Sequence, residues 1–125
     1  MQKYEELRIW KESRVFVCEI YKMLQNNKDY GFKDQLQRAA ISIMNNIAEG
    51  FERDGNKEFI QFLSVAKGSC GETRSQSYRS LDYNYINDGV LSDLIKKTTQ
   101  ISKKISALMT YLKNSEFRGS KFHKP

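Results

Sequence analysis

Apolar residues return every three or four positions in four separate stretches of this chain. That spacing keeps each set on one side of an α-helix. Trp10, Val17, Ile20, Tyr21 and Leu24 make the first set. Leu36, Ala39, Ala40, Ile43, Ile47 and Phe51 make the second. The third starts with Phe59, Phe62, Leu63, Ala66 and Cys70 and runs on through Thr73, Ser77, Ser80 and Leu81. The fourth holds Leu91, Leu94, Ile95, Ile101, Ile105, Leu108, Met109 and Leu112. With a single proline in 125 residues, little interrupts these periods. The pattern predicts helices over about 7–26, 33–53, 57–85 and 90–113. Short connections then give an all-α fold, an antiparallel up-down-up-down four-helix bundle over 1–115. Residues 116–125 read as a basic, disordered tail.

Turn chemistry sits where the periods stop. "NNKDYG" separates the first two stretches, with Gly31 closing the turn. Asp54-Gly55 breaks the second, and Asn56 is placed to cap the third; Asp88 is placed to cap the fourth. "DYNYI" reads as packing at one end of the bundle. The segment "VAKGSCGETRSQSYRS" is poor in large side chains, yet the helical period passes through it unbroken. Gly68 and Gly71 each cost about 1 kcal/mol against alanine in a helix. Close helix packing at Gly68, Ser69, Cys70 and Gly71 is the expected offset. A phosphate loop would end in Gly-Lys-Ser/Thr, and "GSCGETRS" does not. A nucleophile at Ser69 or Cys70 would need a neighbouring base, and no histidine is near.

Charge is unevenly spread along the chain. The formal net charge is +6, and residues 89–125 alone carry eight positive and two negative side chains. A concentrated excess of this kind suggests an anionic partner. Lys96, Lys97, Lys103 and Lys104 fall on one side of the fourth helix, and Arg118, Lys121 and Lys124 follow in the tail. Together they are a candidate RNA or DNA surface; the alternative is a solvated outer face. A second candidate is the polar stripe Gln35, Arg38, Ser42, Asn45, Asn46 and Glu49 on the second helix. A catalytic reading would centre on Glu49 and Arg38, but a lone carboxylate with no second acid, histidine or metal ligand has little chemistry open to it. Hydrogen bonding between helices or between subunits is the preferred reading.

The rest of the composition narrows the class. Two cysteines, Cys18 and Cys70, do not make a disulfide framework, and the one histidine is His123. No metal or other cofactor is expected. No apolar run is long enough to span a membrane, and "MQKYEELRIW" lacks the apolar region of a signal peptide. A cytoplasmic protein is the expectation.

The stretch "QLQRAAISIMNNIAEGFERDGNKEFIQFLSVAKGS" resembles the signature of the proteins named for the intervening sequence of 23S ribosomal RNA genes. Gln35, Leu36, Arg38, Ala39, Ala40, Ser42, Ile43, Asn46, Ile47, Ala48, Glu49, Gly50 and Phe51 match it, as do Glu58, Phe59, Ile60, Phe62, Leu63, Ala66, Gly68 and Ser69. "LRIWKES" is similar to the family's usual opening. The resemblance implies an antiparallel four-helix bundle that assembles as a homopentamer, and it implies no enzymatic activity. It extends to the accessory protein of diversity-generating retroelements, a basic barrel that binds a reverse transcriptase and nucleic acid. Five chains at +6 would carry about +30, a field of real reach. Two departures stand out: Met44 replaces a frequent proline, and Gly71-Glu72-Thr73 replaces a leucine-containing continuation. The expected role is therefore a homo-oligomer that binds RNA or DNA through charge. The alternative is a protein-interaction scaffold with no nucleic-acid role.

Overall fold

A computed structural model describes residues 3–115. A short 3-10 turn at Tyr4–Glu6 precedes four helices: α1 (Arg8–Met23), α2 (Tyr30–Glu52), α3 (Asn56–Asp82) and α4 (Asp88–Ser115). The tail beyond Ser115, with Arg118, Lys121 and Lys124, lies outside the described residues.

Cross-links between helices give the topology. Ser69 hydrogen-bonds Ser42 and Gln76 meets Gln35, so α2 and α3 run antiparallel. Lys97 meets Glu19 and Lys104 meets Glu12, so α1 and α4 do too. Asn56, at the start of α3, donates to the Leu112 carbonyl near the end of α4. Each helix packs on its chain neighbours, and α1 closes the ring against α4. The closest packing is between α2 and α3, and the seam between α1 and α4 is the thinnest of the ring.

Large side chains fill the centre. Phe16, Ile20, Leu36, Ile43, Ile47, Phe59, Leu63, Ile105 and Leu112 are all buried. Burial of side chains of this size contributes about 1.5–3 kcal/mol each relative to exposure. On α3 the core line shrinks to Cys70, Thr73, Ser77 and Ser80, every one of them fully buried. A buried hydroxyl needs a partner. Each finds one four residues back in its own helix: Thr73 on the Ser69 carbonyl (2.8 Å), Ser77 on Thr73 (2.8 Å), Ser80 on Gln76 (3.1 Å). Ser13 and Thr98 do the same on α1 and α4. The thin line is thus a satisfied helix core.

Several local expectations are corrected. Tyr21 is 55% exposed; Phe16 and Ser13 take the inner positions of α1. Helix α2 starts at Tyr30, because the Asp29 carboxylate accepts from the Phe32 amide (3.3 Å) and caps it; Gly31 lies inside the first turn. The cap of α3 is Gly55 at φ 81°, a left-handed conformation that favours glycine. Asn56, expected as that cap, is instead buried, with its amide spent on α4. Asn87 and not Asp88 receives the Val90 amide at the start of α4 (2.9 Å). At the end of α3, Asn84 turns the chain at φ 61°. Tyr83 and Tyr85 then pack against Phe32, as the end-of-bundle reading of "DYNYI" expects.

Candidate functional site

The lysine stripe of α4 divides in two. Lys96 and Lys103 are exposed on the outer side, and neither has an ion-pair partner among the described residues. Lys97 and Lys104 turn one residue further, into the seam with α1. The Lys97 ammonium lies 2.8 Å from Glu19 and 2.9 Å from Asp93. Lys104 reaches both Glu12 oxygens, at 2.6 and 2.8 Å. Hydrogen bonds donated to Glu19, then Asp93, hold the Lys97 ammonium above its usual range. Glu12 and Glu19 are seven residues apart, as are Lys97 and Lys104, so two rungs of one ladder form. That matching interval was present in the sequence, but only pairing α1 with α4 gives it meaning. Between the rungs lies a groove of about 390 Å³, with Phe16 and Ile101 among the residues lining it.

Charge separates by layer. Helix α1 carries four cations and two carboxylates, and α4 five and two, so this pair is net +5. Helix α2 carries two cations and three carboxylates, and α3 four and three, so that pair is neutral. Arg8, Lys11, Arg14 and Lys22 of α1 are all exposed and join Lys96 and Lys103 on the basic side. Reading the stripe on α4 alone missed them, because α1 on its own has only a small excess.

The polar stripe of α2 is also divided. Gln35, Ser42 and Asn46 turn toward α3. The Ser69 hydroxyl donates to Ser42 (2.8 Å), Asn46 donates to the Ser42 carbonyl (2.8 Å) and hydroxyl (3.0 Å), and Arg79 donates to Gln35 (2.6 Å). Arg38, Asn45 and Glu49 face outward and are exposed. Arg38 pairs with Asp34 on its own helix at 2.8 Å. The stripe therefore splits into an interhelix lock and an open outer face, and the structure does not gather Arg38 and Glu49 into one pocket. Among the described residues no cluster of histidine, cysteine and carboxylate side chains could hold a metal ion.

The expected packing at Gly68 and Gly71 is redistributed. A Cβ built at Gly68 would meet nothing within 4 Å, and one at Gly71 only the Arg74 guanidinium at 3.7 Å. Both point away from the bundle centre. Ser69 and Cys70 are buried as expected. The close approach is at Gly50, where a Cβ would sit 2.7 Å from the Phe62 Cβ and 3.0 Å from the Phe59 ring. Burial pushes the Cys70 thiol up to about 11, so it stays protonated and inert at neutral pH.

A further feature went unread in the sequence. Tyr85 donates to the Asp29 carboxylate at 2.6 Å, fastening the α3–α4 loop to the cap of α2. The Arg79 guanidinium lies over the Phe32 and Tyr83 rings, 5.2 and 5.0 Å from their centroids.

Comparison with known proteins settles the lineage. The profile of the 23S rRNA-intervening sequence protein family matches residues 5–107. The chain belongs to that family. A solved relative in fold is a protein of unknown function from Bacteroides thetaiotaomicron, of the S23 ribosomal protein family. It superposes with a TM-score of 0.75 at 24% identity, covering 81% of this chain and 97% of its own. At that identity the likeness is one of fold. No curated protein matches the chain. Among the described residues of this intervening-sequence family member, no helix is long and apolar enough to cross a membrane.

Proposed function

We propose that this chain is a non-enzymatic, homo-oligomeric bundle that binds RNA or DNA electrostatically through its α1/α4 side. The supporting observation is the division of charge, net +5 on α1 and α4 against zero on α2 and α3. Lys96, Lys103, Arg8, Lys11, Arg14 and Lys22 are the exposed cations of that side. Lys97 and Lys104 are already neutralised by Glu19, Asp93 and Glu12, so they contribute less. Contacts of this type release counterions and are blind to sequence, which fits a chain whose sequence carries no base-reading motif.

The experiment is anisotropy binding to a structured RNA at rising salt. Affinity should fall steeply with salt, and replacing both Lys96 and Lys103 by glutamine should flatten the salt slope by roughly two. No salt-sensitive binding at low ionic strength would overturn the reading. A second reading is a protein-interaction scaffold with no nucleic-acid role, with a reverse transcriptase as one candidate partner. The groove between α1 and α4 favours it, because Val15 on its lining is 60% exposed and offers an apolar contact that a phosphate backbone cannot use. A partner that stays bound after nuclease treatment supports the scaffold.

A further inference from the structure

We propose that copies of this chain meet through the outward faces of α2 and α3, the ridge of α2 on one copy lying along the shallow face of α3 on the next. The inference rests on the homo-oligomeric reading above and names the surface that reading leaves open.

Charge first selects the side. Two α1/α4 faces at net +5 repel each other, whereas the α2/α3 faces are neutral overall. Shape then matches the two faces. On α2 the outer ridge is Arg38, Ile41 and Asn45, with Ile41 39% exposed. It stands beside an open hollow of about 520 Å³ that also reaches Asp34, Ser42 and Asn46. On α3 the outer face is Ser64, Val65, Gly68, Glu72 and Ser75, with Val65 53% exposed. Gly68 costs about 1 kcal/mol against alanine, and nothing within the chain packs on it in return. A neighbouring copy would supply the missing contact.

Register closes the argument. The Ser42–Ser69 hydrogen bond fixes those two residues at one level of the bundle. Ile41 and Gly68 are each one residue away, in opposite directions along the axis, so they differ in height by about 3 Å. Arg38 and Glu72 differ by about 1.5 Å on the same reckoning. A closed ring about an axis parallel to the helices needs its two contacting faces at equal height. Here the apolar knob lies level with the glycine hollow, and a cation lies level with a carboxylate. Arg38 is 78% exposed, and its ion pair with Asp34 is a surface one, so it is easily exchanged.

The test is the mass of the full chain by multi-angle light scattering across dilution, with helix content followed by circular dichroism. A Cβ at Gly68 meets no atom of its own chain within 4 Å, so in Gly68→Arg helix content should hold while the oligomer dissociates at roughly tenfold or more higher concentration. Arg38→Glu alone should weaken assembly, and Arg38→Glu with Glu72→Arg should restore it. Ala107→Arg, exposed on α4, should leave the mass unchanged. If Gly68→Arg keeps its helix content and its mass across dilution, the face is wrong while the oligomer stands. If the double exchange fails to rescue, the Arg38–Glu72 register is wrong. A wild-type chain that is monomeric throughout overturns both this inference and the oligomeric reading.

Discussion

The two sides of this bundle are built by different rules. Between α2 and α3 the helices approach closely over Gly50 and the small residues of α3, and short hydrogen bonds such as Ser69–Ser42 join them. Between α1 and α4 the contact is thinner, a groove runs along the outside, and two ion pairs span it. One side is held by shape and the other by long side chains. The difference matters for function because a surface that must meet a partner cannot also be closed. The charge follows the same division.

Four measurements bear on this contrast. The largest effect should come from Ile43→Ala, which empties a fully buried position on α2 and should cost about 2–5 kcal/mol in chemical denaturation. Next is Gly50→Ala, which forces a methyl to within 2.7 Å of the Phe62 Cβ. It should cost about 1–3 kcal/mol, a loss rather than the gain usual for glycine to alanine in a helix. Gly68→Ala should do the opposite. At dilutions where the chain is monomeric it should stabilise by up to about 1 kcal/mol. Equal effects at Gly50 and Gly68 would break the assignment of close packing to one of them. The smallest effect should follow Glu12→Gln. Its ion pair with Lys104 is partly exposed and is worth about 0–1 kcal/mol, less at high salt. A loss there as large as at Ile43 would mean that the basic side is held as firmly as the neutral one. Glu12→Gln should also release Lys104 and tighten RNA binding on the proposed surface.

How far the sequence revealed this depends on what sets each feature. The four helices were legible because burial repeats at the helical period, and Ile43, Ile47, Leu63 and Ile105 lie where that period places them. Helix ends were less so, since a cap depends on one side chain reaching one amide. Asp29 and Asn87 do this, and Asn56 is drawn away by α4. Glycines were the hardest to read. A glycine records that the backbone tolerates closeness, not who comes close; Gly50 meets Phe62, while Gly68 meets nothing in the chain. The four lysines were read as one stripe; which pair of them faces solvent is decided by Glu12 and Glu19 across the seam.

The hydroxyls of the α3 core have a consequence for how such a protein can change. Thr73, Ser77 and Ser80 each bond to their own helix, so α3 carries these bonds with it wherever it moves. None of them commits α3 to a particular rotation or height against its neighbours. Single exchanges among alanine, serine and cysteine along this line need no matching change elsewhere. Register is left to a few side-chain hydrogen bonds between helices, among them Ser42–Ser69 and Asn56–Leu112. The small-residue line of α3 is therefore free to drift in sequence, while its alignment is kept by contacts elsewhere.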